Sequence, residues 1–180
     1  MEPISRKEAA VATIISFDPE PEVLVLKRNA NPRDPWSGHY SFPGGRREDT
    51  DPSLLATCIR ETYEECGIQL STEHLVKQYP VRQAGNHLNQ PIPVTTYLFE
   101  LPEPPAIRLQ QSEISCHEWV ELEYVADSAN TSDVDEYTFG SAYAVKYPDV
   151  LSGTTVIWRY ATGGAAAVGW NNRVVVVGFP

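Results

Sequence analysis

The chain has 180 residues, enough for one domain with a real core, and carries a formal net charge of −10. That charge argues against a nucleic-acid surface, because binding to nucleic acid is dominated by basic side chains that neutralise phosphate. No apolar run approaches the ~20 residues of a membrane span. The three cysteines, Cys58, Cys66 and Cys116, are odd in number and lack CxxC spacing, so neither a disulfide framework nor a zinc site is indicated.

The amino-terminal run MEPISRKEAA lacks the apolar stretch of a signal peptide and the Arg-rich, acid-poor character of a transit peptide, so a cytoplasmic protein is expected. Ala9 to Ser16 and Glu22 to Arg28 are β-rich runs on either side of a DPEPE turn and read as a hairpin. The stretch from Gly38 to Gly45 enters a glycine-marked loop that feeds a helix. Asp51 and Pro52 are expected as its N-cap and first residue, and Gly67 as its C-cap. Lys77 to Gln83 and Val94 to Leu101 read as two more strands, joined by the long polar loop AGNHLNQPIP. In the second strand Val94, Thr96 and Leu98 alternate with Thr95, Tyr97 and Phe99. Cys116 to Glu121 reads as another strand. With no repeat and no linker long enough to divide the chain, one α/β domain over residues 1–180 is expected.

Segment 137–180 is the least legible. Its ATGGAAAVGW run is expected as a short helix and its VVVVG run as a buried strand. Left unprotected, such a strand is an aggregation hazard, so a covering partner and hence a homodimer is one expectation. Tyr137, Phe139, Tyr143, Tyr147 and Trp158 are read as core residues rather than as platforms for bases. His39 and His87 are acid/base candidates by residue type, although a lone histidine is more often structural.

The helix carries the chemistry. At about 100° per residue, Glu61, Glu64 and Glu65 share one face, while Leu55, Ala56, Ile59, Thr62, Tyr63 and Cys66 fall opposite, fit to pack on a sheet. On this reading one face is buried, the other holds metal, and none of the three acids finds a basic partner within the helix. Acids near a helix C-terminus also oppose the macrodipole. A divalent cation is the expected remedy. Hard carboxylate oxygens suit magnesium, which keeps part of its shell for phosphate.

The run SFPGGRREDTDPSLLATCIRETYEECGI, Ser41 to Ile68, resembles the Nudix box, most clearly in RETYEECGI from Arg60 to Ile68. Gly45 is followed by five residues and then Asp51, where the family usually has Glu. Eight residues separate Asp51 from Arg60, one more than the general pattern. That longer form resembles the branch acting on coenzyme A and acyl-coenzyme A. Upstream, Leu24, Val25, Leu26, Lys27, Arg28, Asn29, Arg33, Gly38 and Phe42-Pro43-Gly44-Gly45 follow the outline of that branch's second motif. Leu26 replaces its Thr, Asn29 replaces its small residue, and an extra residue precedes Gly38.

The resemblance implies a Nudix fold, a mixed β-sheet between α-helices, with the box over residues 45–68. It implies hydrolysis of a pyrophosphate linkage in a nucleoside diphosphate derivative, with coenzyme A or an acyl-coenzyme A as first expectation. ADP-ribose, dinucleoside polyphosphates and oxidised nucleotides are the alternatives, and a non-catalytic nucleotide-binding module a more distant one. Mg2+ or Mn2+ would be held by Glu61, Glu64, Glu65 and the Gly45 carbonyl, with Glu64 doubling as base. Arg60 would tie Glu48 or Asp51 to the helix. Arg28 and Arg33 would hold the substrate phosphates, and Arg46 and Arg47 would add local positive charge.

Overall fold

The computed structural model describes residues 8–33, 40–84 and 92–121, together with strands at 131–132, 142–149, 153–160 and 174–177. Strands β1 (Ala9–Ser16) and β2 (Glu22–Arg28) form where the apolar runs indicate. They pair with each other only at the hairpin end, Ile15 with Val23 and Ser16 with Glu22, and then part. Two short strands fill the fork. β3 (Tyr40–Ser41) pairs with Leu26 and Lys27 of β2, and β4 (Gly44–Arg46) pairs with Ala9, Ala10 and Val11 of β1.

Helix α1 (Leu54–Cys66) follows, then a single 3-10 turn at Thr72–His74. The run expected as one strand from Lys77 to Gln83 is two, β5 (Leu75–Gln78) and β6 (Arg82–Ala84), both antiparallel to β7 (Ile92–Leu101). Pro80 lies at the break, where a missing N–H cannot continue a ladder. β7 also runs parallel to β1 along all of β1. β8 (Ile114–Glu121) starts two residues before the expected Cys116 and lies antiparallel along β2, with a register shift between Lys27 and Arg28. The result is one mixed eight-stranded sheet.

A second, four-stranded sheet comprises β9 (Thr131–Ser132), β10 (Ala142–Asp149), β11 (Gly153–Tyr160) and β12 (Val174–Val177). The VVVVG run is therefore a strand, and β12 is paired in parallel with β11 of the same chain. The ATGGAAAVGW run, Gly38, His39, His87, Tyr137 and Phe139 lie outside the described residues.

The core sits between the main sheet and α1. Ala10, Ala12 and Ile14 of β1, Leu24 and Leu26 of β2, and Tyr97, Phe99 and Leu101 of β7 pack with Cys58 and Cys66 of the helix. The other face of the same strands is buried as well, through Thr13, Val23, Val25, Thr96, Leu98 and Val120. Burial on both faces is why these strands read as nearly continuous apolar runs. Among the described residues α1 is the one α-helix, and no helix is long and apolar enough to cross a membrane.

Candidate active site

The N-cap of α1 is Ser53 rather than Asp51; its side chain accepts from the Ala56 amide at 3.1 Å. Gly67 closes the helix with φ 73°, its amide donating to the Tyr63 carbonyl. Asp51 turns inward instead and is only 5% exposed. Arg60 Nε donates to its Oδ1 at 3.0 Å and Arg60 Nη2 to its Oδ2 at 2.9 Å. The Glu48 amide and the Thr57 hydroxyl also donate to Oδ2, each at 2.9 Å. The Arg60 contact above all holds the Asp51 carboxyl well below the usual carboxylate range, against a burial that would raise it. The same contact pushes Arg60 above its already high ordinary value. The loop ahead of the helix is thus clasped to it.

Helix α1 meets the expected division in part: Thr62 and Cys66 are buried and Leu55 and Ile59 pack against the core, but one of the acids is buried with them. Its buried residues are Thr57, Cys58, Thr62, Glu65 and Cys66, while Tyr63, expected on the packed side, is 46% exposed. Leu54 and Cys58 flank Glu65 at about 20° on either side of it around the helix axis, so burying them buries the acid. Glu65 Oε2 accepts from the Gly44 amide at 2.9 Å, and Arg28 Nη1 lies 4.0 Å from Oε1. Burial pushes the Glu65 carboxyl up to about 8, helped by the charges of Glu61 and Glu113 and opposed by the Gly44 amide and Arg28. Glu61 is raised too, chiefly by burial.

The two acids meet neighbouring glycines, Glu61 at Gly45 and Glu65 at Gly44. A Cβ on Gly45 would lie 2.4 Å from the Glu61 carboxyl carbon, and one on Gly44 would lie 2.2 Å from the Ala10 carbonyl oxygen. Gly44 also has φ 149°, a backbone that favours glycine. Glu64 stands apart. It is half-exposed and accepts from Arg60 Nη1 at 3.0 Å, the i,i+4 pair that the expectation of unpaired acids overlooked. Among the described residues, no three His, Cys, Asp or Glu side chains are grouped so as to hold a metal ion. The donors still fit a hard divalent cation. Two carboxylates are gathered against one backbone turn, and magnesium binds through few carboxylates plus phosphate and water.

The arginines separate into two groups. Arg28 faces Glu65, Arg33 is exposed just past β2, and Arg46 is exposed on β4. Arg47, expected to add charge for the substrate, is taken up by the loop. It donates to the Asp51 and Pro52 carbonyls at 3.2 and 3.3 Å and lies 3.7 Å from Glu8. Glu113 is the acid that the sequence reading missed. The segment before it is fastened to the helix end, Arg108 and Gln110 amides donating to the Cys66 and Glu65 carbonyls at 2.9 Å. From there its charge reaches both Glu61 and Glu65. It lies far along the chain in a segment with no motif.

A box helix clasped by Arg60 and Asp51, with two of its acids against a Gly-Gly turn on a mixed sheet, agrees with the sequence match. A family model described as the NUDIX domain matches residues 6–138. The chain belongs to the Nudix family. Among its relatives, protein C14C4.10c of Schizosaccharomyces pombe is 39% identical over 106 residues, covering 57% of this chain and 32% of that protein. The Nudix hydrolase NudL of Shigella flexneri is 35% identical over 79 residues, covering 44% of this chain and 41% of NudL. The matched stretch is less than half the length of either relative. Among solved structures, the NUDIX domain of Shewanella oneidensis NrtR, complexed with ADP ribose, superposes with a TM-score of 0.56 at 19% identity. That match covers 67% of this chain and 76% of that one, and it establishes likeness of fold.

Proposed function

We propose that this Nudix protein is a metal-dependent hydrolase of a pyrophosphate linkage in a nucleoside diphosphate derivative, and that its substrate is coenzyme A or an acyl-coenzyme A. The observation that carries the hydrolase reading is the pair Glu61 and Glu65, drawn in against Gly45 and Gly44, with Glu65 buried and Glu61 partly buried. Carboxylates in such a place resist ionisation unless a cation offsets their charge. Glu61, Glu64, Glu65 and the Gly45 carbonyl would hold Mg2+ or Mn2+, which supplies charge neutralisation at the pyrophosphate and an acidified water.

The chain's own residues do the rest. Arg28, close to Glu65, and the exposed Arg33 and Arg46 offer guanidinium forks that match phosphate oxygens. Glu64, the most exposed of the three box acids, would accept a proton from water. Arg60 and Asp51 hold the helix and loop in register while this happens.

Support for coenzyme A comes from the sequence: the longer spacing between Gly45 and Arg60, Asp at position 51, and the Arg28, Arg33 and Phe42-Pro43-Gly44-Gly45 outline. Asp51 makes structural sense of the first two, since a short acid ahead of the helix reaches Arg60 from the loop. The expected products are a phosphopantetheine derivative and adenosine 3′,5′-bisphosphate. Parallel kinetics on coenzyme A, ADP-ribose and diadenosine polyphosphates with Mg2+ or Mn2+, products identified by mass, test the assignment. A higher kcat/KM for either of the other two substrates removes the coenzyme A assignment and leaves the hydrolase; no turnover on any removes both.

A further inference from the structure

We propose that Arg60 Nη1 is a resident counter-cation for Glu61 and Glu64, and that a divalent ion draws these two carboxylates off it while the guanidinium stays on Asp51. This deepens the metal-dependent reading above and rests on it. The two edges of the Arg60 plane do different work. One edge, Nε and Nη2, forms a fork on the buried Asp51 at 3.0 and 2.9 Å, and Nη2 also donates to the Arg46 carbonyl at 3.2 Å. The other edge, Nη1, sits 2.9 Å from Glu61 Oε1, 3.0 Å from Glu64 Oε2 and 4.0 Å from Glu48 Oε1. A single positive charge is surrounded by four carboxylates.

Nη1 thus occupies the position of a cation between two acids of the box. An ion that takes the same oxygens has to exchange with it. The exchange is easy on that edge, because Glu64 is 48% exposed and water can replace the lost contact. It is hard on the other edge, because Asp51 is 5% exposed and would be left as an uncompensated buried charge. Glu61 and Glu64 can therefore swing off Nη1 while the guanidinium and the loop stay in place.

Nuclear magnetic resonance on protein with 15N-labelled arginine, titrated with Mg2+, reads the two edges separately in the wild-type chain. The expected result is that Nη1 signals shift or broaden with the ion while the Nε signal on Asp51 stays in place. In Arg60→Met, Mn2+ affinity measured by titration calorimetry is expected to tighten roughly tenfold, the worth of one charge-assisted hydrogen bond. Should that variant fail to fold, the wild-type titration decides alone. Nη1 signals unmoved at saturating Mg2+, Nη1 and Nε moving together, or a folded Arg60→Met that binds Mn2+ no more tightly would each overturn the proposal. Wild-type protein that binds no Mn2+ at all would overturn the metal reading along with it.

Discussion

Replacing Asp51 by Asn strikes the loop-to-helix clasp at its centre while keeping the shape of the side chain. The carboxylate accepts four hydrogen bonds, two from Arg60 and one each from the Glu48 amide and the Thr57 hydroxyl. An amide in its place carries no charge, and its NH2 group must confront at least one of those donors. Breaking a buried pair costs about 3–5 kcal/mol. Arg60 retains 23% side-chain exposure, so the low end, about 3 kcal/mol, is expected. For a chain of this size that corresponds to a fall in Tm of about 6–12 °C.

The pH dependence sharpens the test. Asp51 has a folded pKa held below its unfolded value, so its contribution is fully present above about pH 4 and is lost as pH falls through the folded value. The gap between wild type and Asp51→Asn is therefore expected to be full at pH 7 and to narrow on acidification below about pH 4. Thermal melts at several pH values measure it. An unchanged Tm at pH 7, or a gap that stays constant into acid, would refute the account of the clasp.

Glu65→Gln removes a buried ionisable group and a ligand candidate together, so kcat is expected to fall by more than the ~100-fold typical of losing an outer-shell partner, with Tm held or raised. Circular dichroism melts and initial rates check this. Gly45→Ala places a methyl 2.4 Å from the Glu61 carboxyl carbon, so weaker Mn2+ binding is expected in calorimetry even where the fold persists. Arg46→Ala is expected to raise KM with little change in Tm, because Arg46 is exposed. Arg47→Ala is expected to lower stability by about 1–2 kcal/mol through its lost carbonyl bonds, with KM changed less.

The strands near the amino terminus were legible because β1 and β2 each carry a short apolar, β-branched run bounded by a turn. The helix and its left-handed end at Gly67 were legible for the same local reasons. The orientation of the helix was not. Cys58, buried, and Leu54, packed partly buried against the core, lie within about 20° of Glu65 around the axis, so the buried arc reaches from Thr62 and Cys66 round to the acid. Asp51 looked like a cap because Asp before Pro often is one; its actual role needs Arg60, Thr57 and the Glu48 amide, brought together only by the folded loop. The break at Pro80 follows from chemistry visible in the sequence. Glu113 could not be found that way, since its place depends on hydrogen bonds from the segment before it to the helix end.

β4 sets the timing of order in the site. Gly44 and Gly45 belong to a strand hydrogen-bonded to Val11 and Ala10, within a sheet that also carries β1 against β7. The Gly45 amide, opposite Ala10 in the ladder, is therefore expected to exchange with solvent on the timescale of sheet opening rather than of loop motion, while the Gly44 amide is held by Glu65 Oε2. The entropy of fixing that turn is lost during folding, before any ion arrives. Each encounter then meets a surface already set, and the movement that admits and releases ligand falls to parts of the chain outside the sheet.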